Sequence, residues 1–379
     1  MQKGMEVGIF TFWTSMDNYG QTLQSFALQY FLNHQNGMNA EVIRYYATKL
    51  PLIVRIKNAV KRILLYICPS INRSQYENIK SLEERNFAKF KKYHIKYSSS
   101  ISYGKIELNK VSGKYDALIT GSDQVWSMLL DNPDNSVYYL DFGNKKQKRI
   151  SYAASFGLQV YPSNIIGELH NQLSRLDYIS VREEDGVDIC NKAGVNSVHV
   201  LDPTFLLDKK VYEKLLKSPP TISYTFMYVL NIKDGDDIDW NNLRKEIATS
   251  LIIGTNGSGY TSSQVILDGI VYENSTIEKW LTNIAYADMI VTTSFHGVVF
   301  SIIFEKEFVF IPLKGRHAQS NNRVLSLLNK LDLTDRVLFA DRTFKQIEKS
   351  RIDYAKVNHK LDRFRNESIR FLMDSLITK

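Results

Sequence analysis

Two cysteines in 379 residues, Cys68 and Cys190, exclude a disulfide-built fold. Their spacing fits neither a zinc site nor a redox pair, and so few thiols in so long a chain suit a reducing compartment. A cytoplasmic location is therefore expected. No apolar run reaches the length of a bilayer span, since the longest are cut by Lys61-Arg62 and by Glu305-Lys306-Glu307. The N-terminus has no signal-peptide pattern: Lys3 leads into the strand-like VGIFTFW with no small-residue cleavage site. Solenoid repeats and low-complexity tracts are missing. So are the P-loop, G-x-x-x-x-G-K-[ST], and the serine-hydrolase elbow, G-x-S-x-G. Gly254, Gly257 and Gly259 are wrongly spaced for a dinucleotide fingerprint and read as a turn. The seven histidines contain no metal-ligand pair at helical spacing, and Asp234-Gly235-Asp236-Asp237 reads as a solvated loop.

What is present is an ordinary globular composition, 44% hydrophobic and 23% charged, in a chain long enough for two domains. A net charge of +8 suits an anionic partner: a phosphorylated small molecule, a lipid diphosphate or a membrane surface. Nucleic acid is not expected, because no binding motif or dense basic stripe accompanies the charge.

Strand and helix signals alternate along most of the chain. Strands are expected at Val7–Trp13, Glu41–Tyr46, Tyr115–Thr120, Lys148–Ala154, Asp177–Val181 and Asn196–Val200, with a helix at Asn18–Phe31. After a break at Asp202-Pro203, a second series runs through Ile222–Leu230, Ser250–Ile253, Val265–Leu267, Met289–Val291 and Phe308–Ile311. Such alternation implies βαβ units and parallel sheets. The expected architecture is α/β, two Rossmann-like domains facing a cleft, spanning residues 1–200 and 201–343, with a helical C-terminal tail over 344–379. Within the first domain, about 52–97 reads as a helical basic insert. There Ile56, Val60, Ile63 and Ile67 share a face while Arg55, Lys57, Lys61 and Arg62 lie mostly off it. Two readings stand for this segment, a membrane-surface helix or a helix packed over a sheet edge, and the second is favoured.

Polar and glycine residues gather at the strand ends, which in a parallel sheet share one edge. They include Asp17, Asn18 and Gly20 after the first strand, then Gly121, Ser122 and Asp123, then Ser155-Phe156-Gly157. In the second half come Ser294, Phe295, His296 and Gly297, joined by Arg316 and His317. Ser294 is a natural N-cap, which puts His296 in the first turn of a helix, where free N–H groups attract anions. The competing reading of His296 is a packing role at a helix start. Arg182 stands at a strand end where the helix dipole prefers acids; it either pairs with Glu183 and Glu184 or waits as a fork for a phosphate or carboxylate.

The segments Asp17–Gln29, Ile119–Trp126, Ser151–Gly157, Ser180–Gly186, Leu201–Leu207, Thr292–Phe304 and Asn321–Arg336 together resemble the polysaccharide pyruvyl transferase family, in the family's order. The resemblance implies a GT-B-like fold and transfer of pyruvate from phosphoenolpyruvate (PEP) onto two sugar hydroxyls as a cyclic ketal. It implies that Arg182 and His296 bind PEP, and that the acceptor lies near Asp17–Gly20 and Gly121–Asp123. Many members carry Gly-Asp where this chain has Gly20-Gln21, so the resemblance does not by itself carry acceptor contacts over to that loop. Asp123 is the candidate base, His296 the candidate acid or phosphate ligand, and Arg316, His317 and Arg323 candidate phosphate contacts. No cofactor or metal is required by the scheme. The expected partners are PEP and a glycan or lipid-linked oligosaccharide of a capsular or exopolysaccharide pathway, with peripheral contact at the inner membrane face. The alternative on the same fold is a GT-B glycosyltransferase using a nucleotide-sugar donor.

Overall fold

The β-branched runs pair as two separate parallel sheets in the computed structural model, which describes all residues except 1–3, 15–17, 128, 130–131, 248, 250, 256–264, 340 and 379. The first sheet collects β1 (Met5–Phe10), β2 (Met38–Tyr46), β3 (Tyr97–Tyr103), β4 (Ala117–Thr120), β5 (Lys148–Ala154), β6 (Tyr178–Val181) and β7 (Val198–His199). The second collects β8 (Thr225–Tyr228), β9 (Ile252–Thr255), β10 (Val271–Glu273), β11 (Met289–Thr292) and β12 (Phe308–Phe310). Their spatial orders are β3-β2-β1-β4-β5-β6-β7 and β10-β9-β8-β11-β12. Each order reverses direction beside its first strand, so each sheet has a switch point, at β1/β4 and at β8/β11. Ligands of open α/β sheets bind outside the carboxyl ends of such strands.

The helices of the first half are α1 (Tyr19–Asn33), α2 (Leu52–Ile67), α3 (Arg73–Arg85), α4 (Phe87–His94), α5 (Gly104–Ser112), α6 (Ile166–Leu173) and α7 (Glu184–Lys192). Those that follow are α8 (Lys209–Glu213), α9 (Trp240–Glu246), α10 (Ile277–Tyr286), α11 (Phe295–Ile303), α12 (Asn321–Lys330), α13 (Phe344–Lys349) and α14 (Tyr354–Ile377). One buried cluster contains Val7, Ile9 and Ile119 of the first sheet together with Phe226, Ile290 and Phe308 of the second. Tyr19 sits at the junction: its ring stacks on Trp280 of α10 at 5.0 Å and its hydroxyl donates to the Ser275 carbonyl. The expected helical tail is present as two helices, parted at Ser350–Asp353. α14 ties both halves together, since the Tyr354 hydroxyl donates to the Lys306 carbonyl and Lys148 of β5 donates to the carbonyls of Ser375 and Leu376.

Two expectations are corrected, and a strand stands where none was expected: Tyr97–Tyr103, directly after the helical insert, whose serine-rich sequence hides an edge strand that is buried only in part. Val265–Leu267 is not a strand; the chain turns at Gly269 (φ +75°) and pairs at β10 instead. The favoured reading of α2, packing over a sheet edge, fails because Leu65 is its one buried residue. The Asp234–Asp237 loop is a 3-10 turn capped by the Asp234 side chain, with Asp234 and Asp236 exposed. Gly254 lies inside β9, whereas Gly257 and Gly259 fall outside the described residues.

Candidate functional site

Local sequence places most of the candidate site residues just after strand ends. β11 stops at Thr292, Ser294 takes an extended conformation, and its hydroxyl accepts the Gly297 N–H at 3.4 Å, so α11 opens with Phe295 and His296. Gly297 is required there, since a Cβ would lie 2.3 Å from the Thr292 hydroxyl. Asn18 caps α1 by accepting the Gln21 N–H at 3.1 Å. The next turn presents Gly20 to the His296 ring, so closely that a Cβ on Gly20 would lie 1.9 Å from Nδ1. The helices that follow the two switch points thus meet face to face. After β4 the chain turns through Asp123 with φ +84°, a conformation costly for a side-chain-bearing residue. The Asp123 carbonyl accepts the Ser155 N–H at 3.0 Å, which locks two crest loops together.

The centre of the site is one oxygen of Asp202, a residue that starts the 3-10 turn Pro203–Leu206. Its Oδ2 accepts from Ser122 Oγ at 3.0 Å and from Arg182 Nη1 at 3.1 Å, and stands 3.6 Å from His296 Nε2. Its Oδ1 accepts from the N–H and hydroxyl of Thr204. Burial alone would raise the Asp202 pKa, but the nearby His296 ring, then Arg182 and the Thr204 N–H, hold it well below the usual carboxylate range. Glu183 lies 3.8 Å from Arg182 Nε and accepts from Ser155 Oγ at 2.7 Å. Burial pushes its pKa up, against the pull of Arg182.

Two guanidiniums share one aromatic ring beside these acids. The Arg182 guanidinium lies 4.7 Å from the centroid of the Phe295 ring, and the Arg323 guanidinium of α12 lies 5.8 Å from it. Burial, then the charge of Arg182, push the Arg323 pKa down to about 10. Arg182 Nε and Nη2 and Arg323 Nε are buried without a hydrogen-bond partner among the described residues. Unpaired buried N–H groups of a guanidinium are costly, and a bidentate anion satisfies them. The Asp123 carboxylate is felt by both arginines while its Oδ1 accepts the Gln124 N–H.

Most of the expected residues therefore converge: Gly20, Ser122, Asp123, Ser155, Arg182, Phe295, His296 and Arg323. Asn18, Ser294 and Gly297 shape the helix starts. Arg316 and His317 do not join them; on an exposed 3-10 turn they hydrogen-bond each other at 3.0 Å. Asp17 falls outside the described residues. Sequence reasoning missed Asp202 and Glu183. Asp202 was visible as a domain break before proline and as part of the Leu201–Leu207 segment, and Glu183 as an ion-pair partner for Arg182, but neither was assigned to the site.

Two doubly wound parallel sheets with facing switch points define a GT-B-like α/β protein. Solved structures of this shape include UDP-N-acetylglucosamine 2-epimerase from Rickettsia bellii, 10% identical, TM-score 0.52, covering 98% of this chain and 96% of that one. The N-terminal domain of trehalose-6-phosphate phosphatase from Candida albicans is also similar, at 10% identity and TM-score 0.50, with 98% and 96% covered. At such identity the likeness is one of fold. No curated protein matches in sequence. The polysaccharide pyruvyl transferase family model matches residues 18–315, and the chain belongs to that family. The match ends before Asn321–Arg336.

Proposed function

We propose that the protein transfers pyruvate from PEP to two hydroxyls of a sugar in a surface-polysaccharide precursor, capsular or exopolysaccharide, forming a cyclic ketal and releasing phosphate. Family membership supports pyruvyl transfer to a polysaccharide acceptor. The observation that carries the donor assignment is the pair of guanidiniums flanking Phe295, with buried N–H groups free for a small anion that bears both phosphate and carboxylate.

In this reading Arg182 and Arg323 hold the anionic groups of PEP. His296, braced between Gly20 and Asp202, donates its proton to the methylene carbon, whose π electrons form the new C–H bond. C2 becomes electrophilic, one sugar hydroxyl attacks it, and Asp123 takes that hydroxyl's proton. The bond from C2 to the phosphate oxygen then breaks, and phosphate leaves with the proton held by Asp123. The second hydroxyl closes the ring and its proton restores His296. A positioned acid of this kind contributes about 10²–10⁴-fold in rate. Asp202 and Ser122 orient the cationic pair, and the acceptor lies against the loops of Gly20 and Asp123.

The test is incubation with PEP and a panel of glycan acceptors. Phosphate release should match an acceptor mass gain of one pyruvic acid less one water. Thermal stabilisation by UDP or GDP but not by PEP would overturn the reading in favour of a nucleotide-sugar donor.

A further inference from the structure

Helix α2 presents an apolar face to solvent. At ~100° per residue, Leu52, Ile53, Ile56, Val60, Ile63, Leu64 and Ile67 fall within an arc of about 120°. All of them are exposed, Leu52 at 69%, Ile63 at 58% and Ile67 at 74%. Leu65, on the opposite side, is the residue that anchors the helix. A contiguous apolar face of this size on a protein surface marks an interaction site. The charges on the same helix are of one sign: Arg55, Lys57, Lys61 and Arg62, with no acid between Leu52 and Ile67. Lys57 borders the apolar arc on one side and Arg55 on the other. Arg62 pairs with Glu83 of α3, while Arg55, Lys57 and Lys61 are exposed and form no ion pair among the described residues.

We propose that α2 docks the protein on an anionic phospholipid bilayer, lying in the plane of the interface. Apolar side chains flanked by long cations that reach back to headgroups are what such a surface selects. Among the described residues no helix is long and apolar enough to cross a membrane, so the helix lies on the bilayer rather than through it. A second copy of the chain is the poorer occupant: pairing α2 with its own image would bring the same basic flanks together with no acid to offset them. α2 follows the carboxyl end of β2, the sheet edge that carries the site, and its neighbour α3 reaches the second half through Ser81 and Glu84, both bonded to Asn274. The proposal does not depend on the donor chemistry, and its test uses none.

The test is flotation of the full chain with two kinds of vesicle, pure phosphatidylcholine and phosphatidylcholine with about a third phosphatidylglycerol. The protein should float with the anionic vesicles and much less with the neutral ones. Binding should weaken as NaCl rises from ~0.05 M to ~0.5 M. The double variant Ile56→Glu, Ile63→Glu should abolish flotation. Lys57→Gln, Lys61→Gln should weaken it by about fivefold per charge, as ~1 kcal/mol per cation implies. Unchanged circular dichroism and melting temperature would show that the variants fold. Equal binding to both vesicles, no binding to either, or a dimer in sedimentation that Ile63→Glu dissolves would each overturn the proposal.

Discussion

At the residue scale the decisive contact is the sharing of one Asp202 oxygen by Ser122, Arg182 and His296. Arg182→Lys keeps the charge but loses the planar fork. PEP should then bind at least about tenfold more weakly, read as a rise in KM, since one charge-assisted hydrogen bond contributes about 1.5–3 kcal/mol. An unchanged KM would remove Arg182 from the donor site. Asp202→Asn takes from buried Arg182 the nearer of its two acids, which should cost about 3–5 kcal/mol and show as a lower melting temperature. The sign follows from the depressed pKa: Asp202 stabilises the fold above the ordinary carboxylate range and ceases to as acid protonates it. His199 adds a second acid-sensitive group. Its Nε2 donates to the Arg182 carbonyl at 3.1 Å, its ring packs on Phe364, and Lys330 and Glu184 are its charged neighbours. Burial, then Lys330, push its pKa down to about 4, so between about 6.5 and about 4 the unfolded chain binds a proton that the folded chain refuses. Stability should rise with pH across that window by up to about 3 kcal/mol. His199→Gln should flatten the dependence of melting temperature on pH over the same range, and an unaltered slope would assign the acid lability elsewhere.

At the element scale, the switch-point helices carry the geometry. Gly20 is a site residue because α1 must approach the His296 ring more closely than any Cβ allows. Gly20→Ala should displace the ring and lower kcat by at least about tenfold, while a fold intact by circular dichroism separates this from unfolding. Gly20 was visible in the sequence as part of a polar crest, although its reason, an imidazole 276 positions away, was not. The same holds elsewhere. Ser294, His296 and Arg182 were legible because strand ends and helix caps have local signatures. Asp202 and Glu183 were not, because their roles come from partners on other strands. β3 was not legible because an edge strand rich in serine lacks the apolar run that marks a central one. The exposure of α2 could not be read either, since an amphipathic pattern says which face is apolar but not what covers it.

At the scale of the whole molecule, the shared cluster spanning both sheets and the long reach of α14 argue for one cooperative unit. Calorimetry should show a single transition whose calorimetric and van't Hoff enthalpies agree. Two resolved transitions would mean that the halves fold independently. Removal of residues 354–379 would take Val357, Leu361, Phe364, Leu372 and Leu376 out of the core and expose the apolar side chains they cover. At about 1.5–3 kcal/mol for each buried side chain, that loss exceeds the margin of a typical domain, and the shortened chain should be insoluble.

The stacking of Tyr19 on Trp280, deep between the halves, limits how this molecule can breathe. Wide swinging of one half away from the other would drag two aromatic rings and the Ser275 bond into water. Small excursions of the loops at the strand ends would leave that contact in place, whereas a hinge between the halves would have to break it.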